Sequence, residues 1–111
     1  MPGTMWLIGS DALGPDPELG KVLMQAFLNS IGERVGTPAV FWLFNRGAFL
    51  TQPDSPALEA IRALETAGCR IATCGTCLSY YNIRETLAAG EIGNMPLMQE
   101  LINEADKVVS L

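Results

Sequence analysis

Short apolar runs alternate with segments of helical periodicity along the chain. Runs at residues 5–9, 38–44, 69–74 and 107–111 predict strands, the first of them buried and the second central. Helices are predicted between them where a capping residue stands just before a proline, as at Asp16-Pro17, Ser55-Pro56 and Asn94-Met95-Pro96. Strands that alternate with helices are typical of βαβ units, so the pattern predicts an α/β fold with a mostly parallel sheet.

The periodicity also predicts which helix faces lie on the core. In the first helix an apolar set recurs at helical spacing and is expected to face inward: Leu19, Val22, Leu23, Ala26, Phe27 and Ile31. The second helix repeats this spacing with Leu58, Ile61, Leu64 and Ala67, and Gly68 is predicted to end it. A short helix is expected after the third strand, with Asn82 as a left-handed cap.

Composition narrows the class of protein. The 111 residues fit one domain spanning 1–111, and 12 acidic against 7 basic residues give a net charge of −5. Binding to nucleic acid needs basic residues against phosphates, so we expect no such partner. No run of 18 apolar residues predicts a membrane span, and the first residues lack the pattern of a signal peptide. We therefore expect a cytoplasmic protein with reduced thiols.

The absence of histidine from the sequence excludes several mechanisms. A Ser-His-Asp triad, a Cys-His pair, a histidine-ligated metal and an imidazole switch are all impossible within this chain. Three cysteines fall short of the four ligands of a tetrahedral site, so we expect no metal bound by one chain alone and no other cofactor.

The predicted loops place candidate residues at one edge of the sheet. Ligands of open parallel sheets bind at the carboxyl ends of the strands. Three loops lead from those ends, covering residues 10–15, 45–55 and 74–77. The candidate substrate- or anion-binding residues there are Ser10, Asp11, Asn45, Arg46, Gly75 and Thr76. Asp11 can orient a substrate or fix its own loop, and Arg46 can balance an anionic sulfur species or remain solvated.

The best candidate for a reactive site is the segment Cys74-Gly75-Thr76-Cys77, because a strand ends and a helix begins there. A helix start favours the thiolate form of cysteine, and Gly75 permits a tight turn. Four hypotheses stay open: a sulfur-carrying nucleophile, a thioredoxin-like dithiol, a metal site shared between subunits, and inert packing thiols. Cys69 lies inside the predicted third strand and is expected to be a core residue.

The sequence resembles the DsrE/DsrF-like sulfurtransferase family, and within it the DsrE-like domain of YedF-type selenium-metabolism proteins. Matching segments span nearly the whole chain: Gly9-Ser10-Asp11-Ala12-Leu13-Gly14, Glu18-Leu19-Gly20, Phe44-Asn45-Arg46-Gly47, Leu50-Thr51, Cys74-Gly75-Thr76-Cys77-Leu78, Gly93-Asn94-Met95 and Ala105-Asp106-Lys107-Val108. Asn82 departs from a glycine that often follows the two tyrosines, although asparagine tolerates the same backbone conformation.

This resemblance implies a three-layer α/β/α sandwich with four to five strands and a flavodoxin- or Rossmann-like topology. It implies a sulfurtransferase-like persulfide carrier, with Cys74 at the position of the family's sulfur-relaying cysteine and Cys77 as a feature of the YedF-type motif. It further implies sulfur donor and acceptor proteins as partners, among them a SirA/TusA-type carrier, and a homo-oligomer, either trimer or hexamer. The alternatives are a non-catalytic oligomeric binding module and a dithiol redox protein.

Overall fold

The computed structural model describes residues 3–33 and 39–111. Within them the strands are β1 (Thr4–Ile8), β2 (Val40–Leu43), β3 (Arg70–Cys74), β4 (Glu91–Gly93) and β5 (Lys107–Ser110). The helices are α1 (Pro17–Ile31), α2 (Leu58–Thr66), α3 (Gly75–Tyr80) and α4 (Met95–Glu104). Two 3-10 segments, Asn45–Thr51 and Arg84–Thr86, complete the described elements.

All five strands form one parallel sheet in the order β4-β3-β2-β1-β5. The chain steps in one direction from β1 to β4 and then returns to the other side of β1. Because crossovers between parallel strands are right-handed, this reversal places α4 on the face opposite α1 and α2. The predicted α/β fold with a parallel sheet is confirmed.

The two faces of the sheet bury two separate apolar clusters. The larger cluster joins α1 and α2 to the sheet through side chains such as Met24, Leu28, Ile61 and Leu64. The smaller cluster lies on the α4 side and consists of Met5, Trp42, Ala72, Cys74 and Leu101. Each face is therefore covered by helices, which makes the domain three layers thick.

The pattern missed one strand and placed some boundaries differently. β4 spans only three residues, two of them exposed, so it carries neither an apolar run nor an alternation. The second strand is Val40–Leu43 instead of residues 38–44, and Pro38 lies outside the described residues. Helix α2 begins at Leu58, because the Ser55 hydroxyl accepts from the Ala57 amide and forms a turn before the helix.

The predicted core face of α1 is right for Phe27 and Ile31, which pack against the larger cluster, and wrong for its first half. Leu19, Val22 and Leu23 are exposed, and Gly20, Met24 and Leu28 are the buried positions. The reason is the close approach of the preceding loop, whose Leu13 amide donates to the Gly20 carbonyl at 2.8 Å. A Cβ at Gly20 would lie 2.7 Å from that of Ala12. Glycine therefore lets the loop pack against α1, and the buried face is the one that carries Gly20, Met24 and Leu28.

Gly47 fixes how the segment after β2 packs on the end of β1. The residue is buried, and a Cβ there would collide with the carbonyl oxygen of Ile8. We therefore expect Gly47→Ala to lower the free energy of unfolding by about 1–3 kcal/mol, the usual cost of overpacking. Urea denaturation followed by circular dichroism measures this change.

The matched control is Gly32→Ala at the end of α1. Its backbone is right-handed helical, and the nearest atom to a new Cβ is Leu64 Cδ2 at an ordinary 3.5 Å. We expect its stability to stay within about 1 kcal/mol of the wild type, on the stabilising side. An unchanged urea midpoint for Gly47→Ala would contradict this account of the packing.

Candidate functional site

The segments that follow β1, β2 and β3 converge at the carboxyl edge of the sheet. β2 and β3 run in register, with Leu43 beside Thr73, so their following residues leave the sheet at the same level. The Asn45 amide donates to the Sγ of Cys77 at 3.0 Å. From the loop after β1, Asp11 pairs with Arg46 at 3.6 Å. The structure thus brings the three predicted loop segments together, although the second begins with the 3-10 segment Asn45–Thr51 and the third is helical from Gly75 onward.

Cys74 ends β3 and caps the start of α3, but its side chain points into the fold. It is 3% exposed and belongs to the smaller cluster with Trp42, Ala72 and Leu101. Alternation along the strand explains this orientation, because Cys74 shares its face with Ala72, two residues earlier. The thiol at the position that the family resemblance assigns to the sulfur carrier is therefore buried.

Cys77 lies three residues further on and is only partly buried. Residues at this spacing on a helix are neighbours, and Cys77 packs against the cluster that contains Cys74. Burial raises the pKa of the Cys77 thiol, the Asn45 amide lowers it, and the hydrogen bond and charge of Cys74 raise it further. The two thiols therefore form one interacting pair.

Asn45 is held so that its amide faces the sulfur. Its φ of 51° lies in the left-handed region, which asparagine adopts more readily than most residues. Its side-chain oxygen accepts from the Arg46 amide at 3.0 Å and from the Tyr81 hydroxyl at 3.3 Å. The Tyr81 ring lies 4.7 Å from that of Phe49, which ties α3 to the 3-10 segment after β2.

Arg46 and Asp11 form part of a neighbouring cavity. Arg46 lies over the Phe49 ring at 4.8 Å, and Asp11 is also 4.0 Å from Lys21. The cavity has a volume of about 230 Å³ and is lined by both charged pairs as well as by Asp54. Ser10 accepts from the Ala12 amide at 3.1 Å and so fixes the turn of the loop after β1.

Gly75 and Thr76 border open grooves on the other side of α3. Gly75 is buried, and a Cβ there would lie 3.1 Å from Arg84 Nη1 and 3.2 Å from the Gly93 oxygen. Arg84 donates to the Gly75 carbonyl and to the Ser79 hydroxyl, both at 3.3 Å. Thr76 is exposed, and the cap of α3 has no side-chain hydrogen bond.

Sequence reasoning missed the supporting roles of Tyr81, Phe49 and Arg84. Tyr81 packs on Phe49, whereas Tyr80 is 82% exposed. No periodic signal marks these residues, because they meet across loops. The left-handed conformation predicted for Asn82, with a φ of 58°, is confirmed and reverses the chain so that Arg84 lies back against Gly75.

Cys69 is buried in the larger cluster on the opposite face, as predicted. Burial raises the pKa of its thiol, and a backbone hydrogen bond with Ala39 lowers it. Within residues 3–33 and 39–111, no group of three or more potential ligands is placed to hold a metal ion. Among the described helices, none is both long and apolar enough to cross a membrane.

Comparison with known proteins decides the family. Residues 37–111 match the DsrE/DsrF-like family. The chain belongs to this family. No curated protein matches it.

Solved structures share the DsrE-like fold of this chain at low sequence identity. The ychN protein from E. coli has a TM-score of 0.69 and 15% identity, covering 99% of this chain and 98% of its own. MTH1491 from Methanobacterium thermoautotrophicum, of unknown function, reaches 0.73 at 11% identity and covers 100% of both chains. BT1422 from Bacteroides thetaiotaomicron, also of unknown function, reaches 0.68 at 14%, covering 97% of this chain and 94% of its own.

The exposure of the two thiols in this DsrE-like domain predicts their order of reaction. Iodoacetamide is expected to modify Cys77 before Cys74, because Cys74 is 3% exposed. The raised pKa of Cys77 leaves less thiolate at neutral pH than in a free peptide, whose cysteine is half ionised near about pH 8.5. The rate at Cys77 should therefore continue to rise with pH above that value.

Peptide mapping of timed samples measures this order, and Cys77→Ser is the control that removes the faster site. Modification of Cys74 first, or at the same rate, would show that the burial difference is wrong.

The left-handed backbone of Asn45 predicts a difference between two substitutions. Both Asn45→Gly and Asn45→Ala remove the side-chain bonds to Arg46 and Tyr81. Only alanine also strains the left-handed conformation, at a cost of about 1–2 kcal/mol. Asn45→Ala should therefore be less stable than Asn45→Gly by roughly that amount in urea denaturation. Equal stability of the two variants would argue against the positive φ.

Proposed function

We propose that this chain is a sulfur-relay protein, in which the Cys74–Cys77 pair accepts sulfane sulfur as a persulfide and passes it to a partner. The observation that carries the proposal is the interacting thiol pair at the carboxyl edge of the sheet, with the Asn45 amide on Cys77. Membership in the DsrE/DsrF-like family supports the same reading. Selenium, which the YedF-type resemblance adds, would be handled by the same thiols.

The chemistry of sulfur relay suits a site without histidine. A thiolate attacks the outer sulfur of a persulfide, and the donor leaves as a thiol or thiolate. Only sulfur–sulfur bonds form and break in this exchange, so the reaction needs no imidazole base, which this sequence lacks. A peptide N–H aimed at the sulfur favours its anionic form, because hydrogen bonds to charged acceptors are the strong ones.

The remaining candidate residues would contact the donor or acceptor around this pair. Asp11 and Arg46 line the neighbouring cavity of about 230 Å³, and Ser10 fixes the loop beside it. Gly75 and Thr76 border the open grooves along α3, where a partner protein can approach. We propose donor and acceptor proteins, including a SirA/TusA-type carrier, as the partners that occupy this edge.

A thioredoxin-like dithiol is the second candidate, and the interaction between the two thiols favours it. Such a protein would cycle through a Cys74–Cys77 disulfide with any dithiol or disulfide partner and would take no sulfur atom from a persulfide. The two functions differ in whether the sulfane sulfur of the donor becomes bonded to a cysteine of the chain.

The test uses the reduced protein and a low-molecular-weight persulfide donor such as glutathione persulfide. The wild type is expected to convert the donor to its thiol faster than buffer alone. Cys69→Ser should do the same, because Cys69 lies in the cluster on the opposite face. The double variant Cys74→Ser/Cys77→Ser should lose the activity completely. Equal consumption of donor by the double variant and the wild type would overturn the proposal.

A further inference from the structure

The two cysteines of the pair differ in access and in surroundings. Cys77 is partly exposed and receives the Asn45 amide at 3.0 Å. Cys74 is 3% exposed and packs among apolar side chains, including Trp42 and Leu101. A donor approaching from solvent therefore meets Cys77 first, and Cys74 lies behind it.

The surroundings of Asn45 show that the loop holds its amide in place. Its left-handed backbone aims the N–H at Cys77, and its side-chain oxygen is fixed by the Arg46 amide and the Tyr81 hydroxyl. Tyr81 is in turn packed on Phe49. These contacts position a backbone N–H on the sulfur of Cys77. Among the described hydrogen bonds, none brings a backbone N–H to the sulfur of Cys74.

We propose that sulfur enters the pair at Cys77 and that Cys74 then displaces it as hydrogen sulfide, which leaves a Cys74–Cys77 disulfide. This inference rests on the first part of the proposed function, the acceptance of sulfane sulfur by the pair. It adds the order of the cysteines and the fate of the sulfur when no acceptor protein is bound. Without an acceptor protein the chain then acts as a persulfide reductase that releases sulfide, with Cys77 as the accepting thiol and Cys74 as the resolving thiol.

The first step transfers the outer sulfur of the donor. The Cys77 thiolate attacks that sulfur, the new bond forms at Cys77 Sγ, and the sulfur–sulfur bond of the donor breaks. The donor leaves as its thiolate, and Cys77 now carries the persulfide and its proton. No net oxidation occurs, because one thiol has replaced another on the same sulfane sulfur.

The second step resolves the persulfide within the pair. Cys74 attacks the Sγ of Cys77, the bond from Sγ to the outer sulfur breaks, and the outer sulfur leaves with the Cys74 proton as hydrogen sulfide. The pair is oxidised to a disulfide and the sulfane sulfur is reduced to sulfide. The spacing permits this attack because residues three apart at a helix start are neighbours.

A dithiol reductant closes the cycle. It gives its two hydrogens and two electrons to the Cys74–Cys77 disulfide and becomes a disulfide itself. In sum, one donor persulfide and one dithiol yield the donor thiol, hydrogen sulfide and the oxidised dithiol. Without a dithiol the reaction stops after one sulfur per chain.

The test follows the sulfur in the wild type and in single variants, without a dithiol present. The wild type should release one hydrogen sulfide per chain and lose the mass of two hydrogen atoms. Cys74→Ser should gain the mass of one sulfur atom on Cys77 and release no sulfide. Cys74→Ala serves as a second variant, because burying a serine hydroxyl among apolar side chains at this position costs stability. Cys77→Ser should consume donor no faster than the double variant.

The outcomes separate this inference from the proposed function. A wild type that keeps the sulfur and releases no sulfide overturns the resolution step, although sulfur relay stands. Sulfur retained on Cys74 in Cys77→Ser, with none on Cys77 in the Cys74 variants, reverses the order and overturns the inference. If neither the wild type nor any variant consumes donor, the proposed function itself is wrong.

Discussion

The amide of Asn45 donates to the Sγ of Cys77 over 3.0 Å, and this bond joins the loops that follow two neighbouring strands. It depends on the register of β2 and β3 and on the left-handed backbone of Asn45. Gly47 lets the same segment pack on the end of β1, and Tyr81 holds it against α3 through Phe49. The position of the accepting sulfur therefore depends on backbone geometry. Because the sequence contains no histidine, no imidazole base assists this sulfur.

The electrostatics of the pair suit a thiol that is protected until a donor arrives. Burial and the neighbouring Cys74 raise the pKa of Cys77, and the Asn45 amide opposes this rise. At neutral pH Cys77 therefore holds less thiolate than an ordinary cysteine. The second thiol, that of Cys74, lies among apolar side chains, where water and external oxidants have little access. This arrangement fits an internal resolving role better than a role as the first point of attack.

The pattern of apolar residues predicted the main strands and the caps of α1 and α4, because Asp16 and Asn94 act within a few residues of themselves. It could not predict β4, which is held only by pairing with β3, or the inward face of α1, which Gly20 sets through a loop contact. The position of the cysteine segment at the edge of the sheet followed from strand order. The same pattern did not predict which thiol is exposed, because this depends on how Cys74 packs against α4.

The most direct test of the central claim is an NMR titration of the Asn45 backbone amide in the reduced protein. If this amide donates to Cys77, its proton resonance should move downfield as the thiol ionises, with a midpoint above the ordinary range of cysteine, because burial raises that pKa. The shift should vanish in Cys77→Ser and persist in Cys69→Ser. An Asn45 resonance that does not respond to pH, or that responds equally in Cys77→Ser, would contradict the account.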